Sequence, residues 1–283
     1  MIKKNDSGEG IRLVFLPMIL LGAAAALLYA LSAAQATVWG IALAFLLGYL
    51  AGNLLFALVF VVNSLFLPRL APGEGIEKQR PFCRWLCRAA SQWICGWAGA
   101  RPRFLGLDKL PDGPFLFVCN HRSLFDPLIV MAYMADRNIS FVSKPSNLRI
   151  PFAGLTARHA GYLAIDRENN REALKTILQA ADYLRRGVCS VGIYPEGTRS
   201  KTGELLPFHA GSFKIAQKAG VPVAVACVRG TERMKKRAFL LPTAVQLEIL
   251  EVIDAGRVKA MSTNELADEA RRIIEERLKK PSP

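Results

Sequence analysis

The segment Asn120 to Asp126 (NHRSLFD) carries one of only three histidines in 283 residues, five positions before an aspartate. The apolar run Phe115 to Cys119 leads into it, so the histidine stands at the end of a predicted buried strand. A neutral imidazole can take a proton from a hydroxyl as that oxygen attacks a carbonyl. A carboxylate bonded to the other ring nitrogen fixes the tautomer and stabilises the imidazolium that forms. If the chain turns between His121 and Asp126, and Asp126 opens the next helix, the offset lets the carboxylate fold back to the ring. A second segment, Tyr194 to Ser200 (YPEGTRS), follows another apolar run. There Gly197 permits close backbone approach, Thr198 offers a hydroxyl, and Arg199 can grip a phosphate with two parallel hydrogen bonds. The plainer readings are a capped helix start with an incidental histidine, and a turn with Arg199 in a surface ion pair.

Several chemistries lack their residues. There is no Gly-x-Ser-x-Gly, so the serine-hydrolase elbow is missing. No Gly-Lys dipeptide occurs, which removes the phosphate loop of nucleotide hydrolases. No glycine-rich dinucleotide fingerprint follows a strand.

The elements that must position these groups are legible as short Val-, Ile- and Phe-rich runs alternating with helical patterns. Strands are predicted at Phe115 to Cys119, Ile139 to Val142, Tyr162 to Ile165, Val188 to Tyr194, Val221 to Val228 and Gln246 to Val252. Helices are predicted at Asp126 to Ala135, Pro151 to Ala160, Asn169 to Arg186, Ala210 to Ala219 and Thr263 to Lys279. This alternation predicts an α/β domain with a mainly parallel central sheet flanked by helices. Such sheets bind ligands at the carboxyl ends of their strands, and both His121 and Pro195 to Arg199 lie just past one.

The N-terminal part is different in kind. No charged residue occurs between Arg12 and Arg69. One helix crosses a bilayer with about 20 residues, so this stretch predicts two spans, about Leu13 to Leu31 and Val38 to Val61, with a break near Ser32 to Thr37. Gly48 and Gly52 form a Gly-x-x-x-Gly in the second, and Gly22 with its alanines gives the first a smooth face. Lys3, Lys4 and Arg12 flank one side and Arg69, Lys78, Arg80, Arg84 and Arg88 the other, which places both ends in the cytoplasm. The competing reading is a cleavable signal peptide ending near Ala34 to Ala36; the length of the apolar stretch and the immediate second one argue against it.

The next segment, PFCRWLCRAASQWICGW, repeats Phe82, Trp85, Leu86, Ala89, Trp93 and Trp97 at helical spacing beside Arg80, Arg84 and Arg88. Tryptophan with arginine on one helix suits the lipid interface, and packing on the domain is the alternative; both can hold. The predicted organisation is therefore a membrane hairpin over 1–68, a linker and amphipathic interfacial helix over 69–100, and a cytosolic α/β domain over 101–283.

The balance of 37 Lys and Arg against 23 Asp and Glu, net +14, suits anionic partners such as phospholipid headgroups, phosphorylated cofactors or acidic carrier proteins. The charge is dispersed and no nucleic-acid motif appears, so no nucleic-acid partner is expected. None of the six cysteines forms a Cys-x-x-Cys pair, which with so few histidines argues against a zinc site. Reduced thiols are expected. His159 and His209 read as structural, and Arg229 to Arg237 as a solvated loop.

Taken in order, NHRSLFD, then GYLAIDR at Gly161 to Arg167, then YPEGTRS, then VPVAVACV at Val221 to Val228, resemble the four motif blocks of the glycerolipid acyltransferase family, in its lysophosphatidate acyltransferase branch. The resemblance covers about residues 80 to 255. It implies acyl transfer from a thioester, acyl-CoA or acyl carrier protein, to the free hydroxyl of a lysophospholipid, with phosphatidic acid as product. It implies no covalent acyl-enzyme, no metal and no further cofactor, and an enzyme of the cytoplasmic membrane facing the cytoplasm. Carried over by position, His121 is the general base and Asp126 its orienting carboxylate. Arg167 helps bind the acceptor's phosphate, Glu196, Gly197 and Thr198 shape the site, and Arg199 is a further phosphate ligand. Family members often carry Lys-x-Glu-Leu before an Ile-Pro. Here KPSNLRIP keeps Lys144, a candidate phosphate contact, but has Ser146 and Asn147 in place of the Glu-Leu. The alternatives are the same chemistry on another lysolipid, or a catalytically silent lipid- or acyl-carrier-binding protein.

Overall fold

A computed structural model describes residues 9–33, 35–71, 74, 76–200, 202–234 and 241–281, the side chains of 9–14 excepted. Lys3, Lys4, the side chain of Arg12, Ala34, and Lys235 to Arg237 lie outside what is described. The chain divides into two compact units, residues 1–68 and 69–283.

The first unit is a pair of helices, α1 (Glu9–Ser32) and α2 (Val38–Leu65). Thr37 caps α2 by accepting a hydrogen bond from the Gly40 N–H at 3.1 Å. The glycines fix their approach: a Cβ on Gly48 would lie 2.8 Å from the Ala25 Cβ, and one on Gly52 3.0 Å from the Met18 Cα. Both helices are long and apolar enough to cross a membrane, over Phe15–Ser32 and Val38–Leu65.

The second unit opens with α3 (Pro81–Trp97), which packs on α4 (Phe125–Tyr133) and α5 (Ala153–His159). The sequence reading puts Phe82, Trp85, Leu86 and Ala89 on one face; the structure divides them. Cys83, Leu86, Cys87, Ala89 and Cys95 are buried, while Phe82 and Trp85 stack on each other in the open beside Arg84 and Arg88. Small thiols and alanine suit the close face, and the bulky rings are left outside.

Seven strands follow: β1 (Ala100–Leu105), β2 (Leu116–Cys119), β3 (Ile139–Ser143), β4 (Leu163–Ala164), β5 (Ser190–Ile193), β6 (Val223–Arg229) and β7 (Thr243–Ile253). They form one sheet in the order β1-β7-β6-β2-β5-β3-β4. Every pairing is parallel except β6 with β7. The mainly parallel sheet is thus as expected, but β1 is a strand that the sequence reading leaves out. Pro102 and two arginines break its apolar pattern, and an edge position tolerates them.

Helices α6 (Asn170–Arg185), α7 (Lys214–Ala219) and α10 (Thr263–Lys279) close the main core, with short α8 (Thr231–Met234) and α9 (Ala255–Ala260) between. The predicted helix 210–219 begins with a tighter 3₁₀ turn, Ala210–Phe213. A capping box joins Ser262 and Glu265 at the start of α10.

All six cysteines are free and buried. Burial pushes the Cys87 and Cys95 thiols up to about 12, and those of Cys189 and Cys227 to about 11. Since the thiolate is the nucleophile, iodoacetamide at mildly alkaline pH is expected to leave the folded chain unmodified. After denaturation it should label all six cysteines, read by intact mass.

Candidate active site

Three neighbouring strands, β6, β2 and β5, end on the same edge of the sheet, and the loops leaving them carry the candidate groups. Asn120, at the exit from β2, is 1% exposed and ties that loop to β6. Its side chain donates to the Val228 carbonyl at 3.0 Å and accepts from the Val228 N–H at 2.8 Å.

Asp126 is the second residue of α4 and, as anticipated from the spacing, its carboxylate folds back. Oδ2 accepts from the N–H groups of Arg122 (2.7 Å) and Ser123 (2.8 Å) and from Nδ1 of His121 (2.8 Å). An ionised carboxylate only accepts, so Nδ1 carries the proton and the lone pair is left on Nε2. The Asp126 side chain is 1% exposed, that of His121 19%, so one partner is sealed and the other reachable.

The other carboxylate oxygen of Asp126 accepts from the Thr231 hydroxyl at 2.5 Å. Thr231 begins α8, one glycine beyond β6, and is fully buried. This corrects the reading of 229–237 as a solvated loop, at least for its described part. Charge in the segment hid the threonine, whereas its place just past a central strand would have marked it. Thr231→Val keeps the shape but leaves that Asp126 oxygen short of a partner. A loss of about 2 kcal/mol is expected by denaturant unfolding. A fall in kcat of about tenfold at similar KM is also expected, by steady-state assay.

Glu196 belongs to the frame as well. It is 3% exposed; Oε1 accepts from the His121 N–H at 2.5 Å and Oε2 from the Leu206 N–H at 3.0 Å. Burial pushes its carboxyl above the ordinary range, and these two N–H groups pull it back. The Ser200 N–H closes the same junction on the His121 carbonyl at 2.9 Å. The imidazole lies flat on Tyr194, centroids 4.3 Å apart, and Tyr194 in turn on Phe141 at 5.4 Å. Gly192 makes room for this stack, since a Cβ there would come within 2.5 Å of the Phe141 ring.

Of the remaining predicted residues, Gly197 and Arg167 line one cavity, and Lys144, Thr198 and Arg199 do not. Gly197 has φ +73°, and a Cβ on it would lie 2.9 Å from the His209 ring and 3.1 Å from Nη1 of Arg167. So Gly197, Arg167 and His209 share one corner, and His209 is more than the structural residue read from sequence. They line a cavity of about 490 Å³, with Leu174 and Ile177 of α6 as an apolar wall and Lys214 at its polar end. Lys144 is exposed just past β3, which runs parallel to β4, the strand leading to Arg167. Thr198 and Arg199 are exposed on the loop after β5, and no contact joins them to His121 directly. Among the described residues, no group of three or more His, Cys, Asp or Glu is arranged to hold a metal.

The sequence matches the Acyltransferase family model over residues 101–229. The 1-acyl-sn-glycerol-3-phosphate acyltransferase of Salmonella typhimurium is 32% identical over 166 residues, 59% of this chain and 67% of its own length. The chain belongs to the acyltransferase family. The Escherichia coli protein of the same name gives the same identity and coverage. A mouse relative, 1-acyl-sn-glycerol-3-phosphate acyltransferase alpha, is 30% identical over 164 residues, 57% of each chain. The crystal structure of the 1-acyl-sn-glycerophosphate acyltransferase PlsC from Thermotoga maritima shares the fold. It has a TM-score of 0.59 at 24% identity, covering 80% of this chain and 90% of that one. As a member of the acyltransferase family, the protein is an O-acyltransferase enzyme.

Proposed function

We propose that this acyltransferase moves a fatty acyl group from an acyl thioester to the free hydroxyl of 1-acylglycerol-3-phosphate, giving phosphatidic acid at a membrane surface. The observation that carries the reading is the His121–Asp126 pair, with one nitrogen buried on a carboxylate and the other left to act. The names of the bacterial and mouse relatives supply the acceptor.

In this mechanism Nε2 of His121 takes the proton of the acceptor hydroxyl as its oxygen attacks the thioester carbonyl. The C–O bond forms, the tetrahedral intermediate collapses, and the C–S bond breaks. The departing sulfur takes the proton back from the imidazolium, while Asp126 stays ionised throughout. The thioester supplies the driving force, and beyond positioning and one proton transfer the reaction needs a donor to the carbonyl oxyanion. Arg167 holds the acceptor's phosphate, with Lys144 and Arg199 as further phosphate contacts. Glu196, Gly197 and Thr198 shape the loop that brings it to the base.

The two apolar helices anchor the enzyme, and the exposed Phe82 and Trp85 of α3, between Arg84 and Arg88, rest at headgroup depth. The flanking basic residues support a catalytic unit on the cytoplasmic face.

The test is an assay on membranes containing the protein, with labelled acyl-CoA and acyl carrier protein as donors and a panel of lysolipids as acceptors. Lysophosphatidate is expected to be the preferred acceptor. Turnover of another lysolipid alone would keep the chemistry and overturn the acceptor, and no transfer to any would return the chain to a binding role.

A further inference from the structure

Arg122 follows His121 directly, yet it lines a second concavity of about 420 Å³ that shares no lining residue with the Arg167 cavity. Arg122, Arg229, Arg233, Arg271 and Lys279 line it, from the β2, β6 and α10 segments. Among the described lining residues three carboxylates accompany these five cations: Glu204, Glu232 and Glu275. The ion pairs are loose or shared, while Arg229 donates to the carbonyls of Arg277 and Lys280 and Arg233 to that of Ala244. Arg122 reaches Glu232 at 3.6 Å, and Arg271 and Lys279 divide Glu275 at 3.3 and 3.4 Å. The Nε–H of Arg271 is buried with no hydrogen-bond partner, and a buried unmade hydrogen bond is costly to leave. Gly203, at φ +90°, lets the loop pass 3.1 Å (as a built Cβ) from the Arg122 guanidinium. The cations are therefore gathered in excess, at a place anchored to the acid–base pair by the Arg122 N–H on Asp126.

What such a cavity accepts is polar and anionic, because among its described lining residues only Leu205 and Leu278 are large and apolar. The Arg167 cavity already has the apolar α6 wall that an acceptor's tail needs. The other substrate of the reaction is a thioester, and thioester carriers present the acyl group on a phosphorylated pantetheine arm. We infer that the Arg122–Arg233–Lys279 cavity holds the phosphate of the donor's pantetheine arm, so that donor and acceptor occupy separate cavities. The inference rests on the donor proposed above. Charge-assisted bonds from arginine to phosphate are the strong kind, and at a partly open cleft they weaken with salt.

Binding separates this inference from the activity. Calorimetric titration of the full-length protein in micelles would use CoA, phosphopantetheinylated acyl carrier protein and phosphate-free pantetheine. At least one phosphorylated ligand is expected to bind about tenfold or more tighter than pantetheine. Arg233→Glu with Lys279→Glu, both on exposed positions, should abolish that preference, and Glu204→Gln should enlarge it. Whichever ligand shows it names the source, coenzyme or carrier protein. A wild type that binds pantetheine equally well, or a double variant that keeps the preference, would overturn the inference. Acyl transfer measured in parallel judges the reaction itself: absent transfer with the preference intact sinks the proposed activity and leaves the site standing.

Discussion

Replacing His121 with alanine is expected to lower kcat by about 10³-fold or more while the protein stays folded. The ring's contribution to the fold is small, because its side chain is partly open and its one polar contact is to Asp126. The structural ties at this position belong to the main chain: the N–H on Glu196 and the carbonyl taken by Ser200. Alanine keeps both. Asp126 also keeps three of its four donors, from Arg122, Ser123 and Thr231. Loss of the ring removes a stack on Tyr194, for which about 1 kcal/mol is a fair measure. Single-turnover acyl transfer and denaturant unfolding, run together, check this. A variant with ordinary turnover would refute the base, and an unfolded one would show that the ring is a keystone.

The second large effect is at Asp126. Asn in its place is expected to reduce kcat by about 10²- to 10⁴-fold with KM near that of the wild type, because the imidazolium loses its counter-charge. Asn still offers an oxygen to the N–H groups of Arg122 and Ser123, and its amide can face Thr231. Alanine offers nothing, and leaves two backbone N–H groups and a buried hydroxyl without their acceptor. At about 1–3 kcal/mol for each orphaned group, Asp126→Ala should fall several kcal/mol below Asp126→Asn in stability. The paired comparison matters: similar stability of the two would mean that the backbone bonds are incidental. Similar activity of Asn and wild type would mean that the charge is.

How far this was legible follows from how local each relation is. His121 and Asp126 lie within one turn and the start of one helix, so spacing alone foresaw the ring–carboxylate bond. Thr231 meets the same carboxylate from 105 residues away, and only the strand order puts β6 beside β2. The sequence reading had no such order. It likewise left β1 out, since its pairing with β7 is a long-range matter and Pro102 argued for a loop. In α3 the helical period was right but fitted two faces, and the one with the cysteines is buried. Glu196 was expected to shape the site. Its carboxylate accepts from the main chain at His121 and at Leu206, a long-range tie that the sequence does not display.

Because the Glu196 carboxylate answers amides on both the His121 loop and the segment at Leu206, these stretches cannot be exchanged one at a time. A chimera that imports only the 195–200 loop, with another residue at 196, strands the His121 N–H in a dry place and lets the base drift. The heritable unit is the pair of loops, cut within β2 and β5. Lys144, just past β3, lies outside that unit, so it can vary without touching the His121–Asp126 pair.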